Sequence, residues 1–331
     1  MKKVYLLLMV SFLFLVGCSK NSESSIVKDL KNKIKDMDTY YLTGDLKIFN
    51  NKDEYNYDVE VFYKKDDFYR VNLINKLNNH EQIILKNNDG VYVVTPSLNK
   101  SFKFQSNWPN ESSQIYLIES LYNDIYTSEN REFKSNDNEY IFDVDANYPN
   151  NSNLVKQTLV FDKNLNIKSA KVYDDNNSLQ MSMEFVEVAI NRDIDDGIFN
   201  LDNIIRSMND VDNNESVSSI DDIIYPLYVP SGTVLIDEEK VSKTEGERII
   251  LTFDGEKPFI LVEETVDSLD EFMIVPTYGE PYLLLDTVAS LSNNSITWVS
   301  DGIEYYLVSD VMSQIELVEI ASSITKIEYN K

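Results

Sequence analysis

The chain has 331 residues, of which 43% are apolar and 11% aromatic, so it can bury the cores of two domains of ordinary size. Its formal net charge of −26 excludes a nucleic-acid partner, because such a field repels phosphate backbones. A single cysteine, Cys18, excludes an intramolecular disulfide, and a single histidine, His80, excludes a zinc site built from histidine and cysteine.

The N-terminus has the pattern of an export signal. Lys2 and Lys3 are followed by the apolar run 4–16 and then directly by Gly17-Cys18. The apolar run is shorter than the roughly 20 residues that a membrane-spanning helix requires. Its last residues and Cys18 resemble the bacterial lipobox, so we expect cleavage between Gly17 and Cys18 and lipid attachment to the Cys18 thiol. An incidental cysteine after an ordinary secretion signal is the alternative.

Lipid on Cys18 predicts where the protein works. Two acyl chains on one residue give stable anchoring, because each buried CH₂ contributes about 0.8 kcal/mol. We therefore expect a lipid-anchored protein on the outer face of the plasma membrane. Residues 1–17 are predicted to be the signal peptide and residues 18–25 the lipidated tether.

A β-meander with two helices is predicted for residues 26–205. Residues 26–38 have apolar side chains at helical spacing, and from Tyr41 the period changes to two. A second helix, started by Ser112 or Ser113, is predicted around Ile118. Alternation predicts strands at 46–48, 57–61, 68–73, 83–85, 91–94, 102–104, 140–144, 155–161, 167–173 and 179–188. This order favours a strongly curved antiparallel sheet with helices over one face.

A polar stretch divides the chain. Residues 206–219 are rich in Asn, Asp and Ser, which is typical of a linker. Beyond it, residues 220–331 are predicted to form a small α+β domain that ends in a helix with the capping box Ser313 and Glu316. Its predicted strands are 248–253, 258–264, 272–275, 296–299 and 303–308. The whole chain is thus predicted to be α+β, with two domains that fold separately.

Candidate catalytic and metal sites are weak. A Ser-His-Asp triad would require His80, and no Gly-x-Ser-x-Gly elbow presents a serine. Adjacent acids such as Glu263 and Glu264 are usually solvated. The run 191–197 begins like a calcium loop, but Asp196 stands where glycine is needed, so a polar turn is the better interpretation. We expect no catalytic residue, metal or cofactor.

Aromatic residues between 90 and 114 form the candidate binding site. They are Tyr92, Phe102, Phe104 and Trp108. The alternation Phe102-Lys103-Phe104 places both rings on one face of a strand. These residues either line an apolar groove for an acyl chain or a partner's apolar segment, or fill the core beneath the second helix.

This segment also carries a family resemblance. With its run 95–104 (Thr-Pro-Ser-Leu-Asn-Lys-Ser-Phe-Lys-Phe) and Trp108-Pro109, it resembles the sporulation and germination lipoproteins of endospore-forming Gram-positive bacteria. The C-terminal half resembles an uncharacterised domain that follows in these lipoproteins. Its matching runs are 225–230, 296–298, 302–305 and 320–324.

The resemblance implies a first domain similar to the outer-membrane lipoprotein carrier, a half-open antiparallel β-barrel whose apolar face takes up acyl chains. Two departures limit this comparison: the carrier is a soluble shuttle without an anchor like Cys18, and spore formers of this group mostly lack an outer membrane. In related germination lipoproteins the scaffold is associated with a cell-wall amidase. The resemblance therefore implies a non-enzymatic binding or regulating role in sporulation or germination.

The expected partners follow from the anchor and from the resemblance. They are membrane lipid through Cys18 and a cell-wall amidase or another envelope protein, with a homodimer as a further state. An acyl-chain or lipoprotein carrier is the alternative function, and a cell-envelope hydrolase is a less favoured one.

Overall fold

The computed structural model describes residues 22–50, 53–109, 112–208, 219–220, 222–243, 246–266 and 272–324. The predicted signal peptide, Cys18 and residues 209–218 of the predicted linker lie outside the described residues. Within them the chain is mostly β, with two sheets and four α-helices. The helices are α1 (Glu23–Lys35), α2 (Ile118–Thr127), α3 (Leu201–Met208) and α4 (Gln314–Ala321).

Nineteen strands form the two sheets. In chain order they are β1 (Thr39–Asn50), β2 (Asp53–Lys64), β3 (Phe68–Asn75), β4 (Glu81–Asn87), β5 (Gly90–Thr95), β6 (Lys100–Phe104), β7 (Glu132–Ser135), β8 (Glu139–Asp145), β9 (Leu154–Asp162), β10 (Ile167–Asp174), β11 (Leu179–Ile190), β12 (Thr233–Ser242), β13 (Glu247–Gly255), β14 (Phe259–Thr265), β15 (Met273–Thr277), β16 (Glu280–Leu284), β17 (Thr287–Leu291), β18 (Ser295–Ser300) and β19 (Ile303–Val308). The first sheet has the order β15-β6-β5-β4-β3-β2-β1-β11-β10-β9-β8-β7, and the second β12-β13-β14-β19-β18-β17-β16.

The first sheet is large and open. Its two terminal strands, β15 and β7, each pair with one neighbour among the described residues, so the sheet does not close. The expected half-open barrel is therefore observed as an open twelve-stranded sheet. The predicted meander itself is confirmed: β4 and β5 form the hairpin at Asn88-Asp89-Gly90, where Asn87 pairs with Gly90.

Helices cover both faces of the first sheet, not one as expected. We call the face beneath α1 and α2 the inner face. Alternate residues of β1, such as Tyr40 and Leu42, point to it and are fully buried in one core with Leu30 and Leu121. On the reverse face, α3 and the preceding 3₁₀ turn cover a smaller core formed by Ile83, Leu85, Tyr92, Val94, Phe199 and Ile204.

The ends of the helices differ from the predictions by a few residues. Ser22 caps α1, so the last part of the predicted tether is helical. Neither Ser112 nor Ser113 begins α2, because its N-cap position is Leu117. Helix α3 continues to Met208, beyond the predicted end of the first domain. The capping box of Ser313 and Glu316 at the start of α4 is confirmed.

The two parts of the chain share a sheet. Strand β15, predicted as part of the second domain, pairs in parallel with β6, from Met273 opposite Lys100 to Thr277 opposite Phe104. Val288 of β17 is buried in the core of the first sheet. The domain bounds and the separate folding of the two parts stay predictions, and the second part supplies a strand and a buried side chain to the first sheet.

Candidate functional site

The inner face buries two of the four predicted binding residues. Phe104 is 4% exposed and Trp108 2% exposed, and both belong to the core under α1 and α2. Phe102 packs partly buried against the same core. Within the described residues these rings fill the sheet interior, as in the second of the two interpretations above.

Tyr92 lies on the opposite face from the other three, so the predicted group of four does not line one surface. In the pairing of β5 with β6, Tyr92 stands opposite Lys103, whereas Val91 stands opposite Phe104. Residues that are directly opposite share a face, and neighbours along a strand do not. Tyr92 packs under α3, and the Lys103 ammonium lies 5.3 Å from its ring centroid.

A row of aromatic rings leads from Trp108 to a half-buried acid. Ring centroids are 5.8 Å apart between Trp108 and Tyr69, 5.1 Å between Tyr69 and Tyr63, and 4.9 Å between Tyr63 and Tyr40. The Tyr40 hydroxyl donates to the Glu119 carboxylate at 2.9 Å. Desolvation raises the pKa of Glu119 to about 7. The row therefore ends at a carboxyl that titrates near neutral pH.

A second acid, Asp124, is buried on the same helix. Its carboxyl accepts hydrogen bonds from the Ser113 hydroxyl at 2.8 Å and from the Gln157 amide, and desolvation raises its pKa to about 6. The Ser113 hydroxyl in turn accepts from the backbone N–H of Asn147. Asp124 thus ties α2 to β9 and to the segment before α2. No sequence pattern indicates this role, because an acid on a helix is usually solvated.

The second core also buries one acid. Glu263 is fully buried, accepts the backbone N–H of Ile224, and has a pKa raised to about 7 by desolvation. Its neighbour Glu264 points to the other face, where it pairs with Lys243 and Arg248. The expectation that both acids are solvated is therefore wrong for Glu263.

Two small spaces lie on the inner face among the described residues. A cavity of about 60 Å³ lies between Tyr116, Tyr148 and Tyr282, and one of about 20 Å³ lies beside Phe102 and Phe104. Ligand pockets usually measure about 300–1,000 Å³. The interior of the first sheet is therefore packed by the chain's own side chains.

A larger space lies where the two parts meet. This junction cleft has a volume of about 650 Å³. Its wall contains amides, three carboxylates and the partly exposed Leu227 and Tyr228; none of its lining residues is a lysine or arginine. The lining residues are Asn50, Asp53, Asn151, Asn153, Leu154, Asp174, Gln180, Leu227, Tyr228, Ile315, Val318, Glu319, Ser322 and Ser323.

Buried hydrogen bonds hold the junction together. The Gln82 side-chain oxygen accepts from the Val288 backbone N–H at 2.6 Å and from the Thr287 hydroxyl at 3.1 Å. The Tyr57 hydroxyl donates to the Leu285 carbonyl at 2.8 Å. An unmade buried hydrogen bond is costly, so these contacts fix how the two parts meet.

His80 lies at the junction near a serine and an acid. Its Nδ1 is 3.4 Å from the Ser97 hydroxyl, at the long limit for such a bond, and Ser97 is buried. Asp286 lies close enough for His80 to oppose the rise that burial causes in its pKa. The Asp286 carboxylate accepts from the Ser300 hydroxyl at 2.6 Å. This arrangement joins the two parts and offers no exposed nucleophile at Ser97.

The calcium-like run acts as a turn. The Asn191 side chain accepts from the Asp38 N–H and donates to the Asp36 carbonyl, and Asp195 caps the 3₁₀ turn at Gly197. The described residues contain no group of three His, Cys, Asp or Glu side chains placed to hold a metal. Among the same residues no helix is both long and apolar enough to cross a membrane.

Solved structures resemble the chain at low scores. The Pseudomonas aeruginosa MucA/MucB complex matches with 13% identity and a TM-score of 0.34, over 90% of this chain and 98% of that one. The GerS lipoprotein complex with the CwlD amidase from Clostridioides difficile matches with 18% identity and a TM-score of 0.28, over 53% of this chain and 96% of that one. A LolA superfamily protein from Nitrosomonas europaea matches with 13% identity and a TM-score of 0.31, over 53% of this chain and 98% of that one.

Comparison with known sequences gives a higher identity. A family model for YdcC-like sporulation proteins matches residues 1–199. Sporulation protein YdcC of Bacillus subtilis (strain 168) is 35% identical over 328 residues, which cover 98% of this chain and 97% of that protein. On these two matches, the chain belongs to the YdcC-like family of sporulation proteins.

Proposed function

We propose that this protein is a lipid-anchored, non-catalytic binding protein that holds or regulates a cell-wall enzyme, such as a cortex amidase, during sporulation or germination. Membership of a sporulation family supports the process. The lipobox-like ending at Cys18 supports the location on the outer face of the membrane. The kind of partner comes from the resemblance to germination lipoproteins.

The filled inner face is the observation that favours a protein partner over an acyl-chain carrier. A carrier needs an apolar pocket, and the cavities on the inner face measure about 60 and 20 Å³. An acyl chain would have to displace Trp108 or α2 from a closed core. A partner that binds at the surface requires no such rearrangement.

The anchor is tested by changing Cys18 to alanine. We expect the variant to lose fatty-acid labelling and to accumulate as uncleaved or misplaced precursor, because Cys18 is the only cysteine in the chain. Labelling of the variant at the wild-type level would contradict the proposed anchor. A Ser19→Ala variant serves as the matched control and should be labelled normally.

The partner is tested with the mature, detergent-solubilised protein and extracts of sporulating cells. Co-purification of a cell-wall amidase at constant stoichiometry supports the proposal. Co-purified lipid in equimolar amount, released when Trp108 is replaced, would favour the carrier instead. Turnover of a peptidoglycan fragment by the purified protein would show that it is an enzyme.

A further inference from the structure

Strand β12 is a bare edge of the second sheet. Among the described residues it is the last strand in the order and pairs with β13 alone. Of its ten residues only Thr233 is buried and only Val241 is half-buried. An edge strand presents a row of backbone N–H and C=O groups that are not paired within its sheet. β12 is therefore a template for a further strand.

The other edges in the described chain are shorter. β7 has four residues, and β15 and β16 have five each. Proteins commonly keep edge strands short because a long edge invites pairing with other chains. A ten-residue exposed edge with its own apolar residues is thus the exception within this molecule.

The first half of β12 is apolar and exposed. Val234, Leu235 and Ile236 are 63%, 38% and 59% exposed. No charge lies among these three positions, and β-branched residues favour strand pairing. A register shift between Leu235 and Asp237 twists the edge at this point. Such a bulge discourages indiscriminate pairing while leaving the strand accessible.

The second half of β12 carries three acids and one lysine, Lys240, which pairs with Glu247 of β13. Asp237 and Glu239 are exposed and stand opposite Thr252 and Ile250, while Glu238 stands opposite the buried Leu251 and accepts from the Tyr225 hydroxyl at 2.6 Å. Asp237 and Glu239 therefore face away from the second core. A second copy of this acidic chain would bring like charges side by side, which is unfavourable.

We propose that β12 receives an extended segment of a protein partner by strand addition. The segment carries apolar residues opposite Val234 to Ile236 and lysine or arginine opposite Asp237 and Glu239. Backbone hydrogen bonds supply affinity in this mode, and alternate side chains supply specificity. The inference rests on the proposed binding role and deepens it, since it locates the contact at a sheet edge.

The test uses the full mature chain and a synthetic strand-length peptide that joins a run of three valines to a Lys-Thr-Lys run. A peptide with glutamate in place of lysine is the probe of opposite charge. Fluorescence anisotropy measures binding, and hydrogen exchange locates it. We expect the lysine peptide to bind and to protect amides of β12, while the glutamate peptide does not bind.

Charge-reversal variants show whether the peptide contacts Asp237 and Glu239 directly or is attracted only by the net negative charge of the chain. Asp237→Lys combined with Glu239→Lys should weaken binding of the lysine peptide by about tenfold or more and permit binding of the glutamate peptide. Glu129→Lys combined with Asp137→Lys changes the net charge equally at exposed positions of the first part and should have little effect. An equal loss in both double variants would overturn the proposal.

Other occupants of the edge give different outcomes, and each would overturn it. Protection of β12 that rises with protein concentration would identify a second copy. Faster exchange of β12 after truncation beyond Ile324 would identify the chain's own C-terminal segment. If the wall enzyme still co-purifies with the Asp237→Lys, Glu239→Lys variant, β12 is excluded while the proposed function stands.

Discussion

The inner face of the first sheet and the β12 edge of the second sheet differ in the exposure of their apolar residues. The first buries them, and the second leaves them in solvent. On the inner face two helices and a long loop cover the aromatic side chains, and Trp108 and Phe104 are buried. At β12, Val234 and Ile236 are exposed on a strand with one neighbour. The contrast shows that the first sheet buries its aromatic residues, whereas the second leaves several apolar residues exposed to solvent.

The largest expected effect is on the inner face. Trp108→Ala should lower the free energy of unfolding by about 3–5 kcal/mol, because it empties a filled core. Urea denaturation of the mature chain measures the change. Tyr278→Ala, at a position 75% exposed, is the control and should be nearly neutral. A small loss for Trp108→Ala would mean that the inner face is a groove.

Both parts bury an acid, so both should contribute to a dependence of stability on pH. The folded-state pKa values of Asp124 and Glu263 are raised to about 6 and about 7. The folded protein therefore holds these protons more tightly than the unfolded chain does. Their stabilising contribution is present at low pH and is lost as pH rises through these values.

Neutral replacements test that dependence. Asp124→Asn and Glu263→Gln each retain an acceptor oxygen, and each should be about 2 kcal/mol more stable than the parent at pH 8. At pH 5 the advantage should be smaller, because it declines as pH falls from the folded-state pKa values toward the unfolded-state values of about 4. Denaturation at both pH values measures the difference. An equal effect at pH 5 and pH 8 would exclude titration of these groups as the cause.

A substitution at the junction between the two parts should have an intermediate effect on the free energy of unfolding. Gln82→Ala leaves the Val288 N–H and the Thr287 hydroxyl without their acceptor, which should cost about 1–3 kcal/mol. Hydrogen exchange in β17 should increase more than exchange in β10. Uniform acceleration across both sheets would instead indicate that the two parts unfold as one unit.

The smallest effect is expected at the bare edge. Ile236→Ser should change the free energy of unfolding by less than about 0.5 kcal/mol, because the side chain is 59% exposed. The same substitution should weaken binding of the lysine peptide. Loss of stability without loss of binding would show that the residue belongs to the fold and not to a docking surface.

Local sequence patterns predicted most of the first sheet. Alternation located its main strands, and Asn88-Asp89-Gly90 lies at the hairpin between β4 and β5. Alternation also placed Phe102 and Phe104 on one face. It did not separate Tyr92 from them, because the relative phase of two strands depends on their register.

Long-range contacts explain what the sequence did not predict. The assignment of β15 to the first sheet depends on a partner far away in the chain, β6. Asp124 and Glu263 carry no local mark that distinguishes them from solvated acids. β12 was missed because its exposed residues, including Asp237 and Glu239, do not alternate between apolar and polar.

The pairing of β6 with β15 also has a consequence for the order of folding. The chain emerges from its N-terminus, so β6 is complete long before residues 273–277 are available. Until then β6 remains an open strand that other nascent chains can join. Closing so long a loop adds only a slowly growing entropic cost, but it delays completion of the sheet. Once β15 pairs, it covers the edge of β6 and itself becomes the terminal strand of the first sheet.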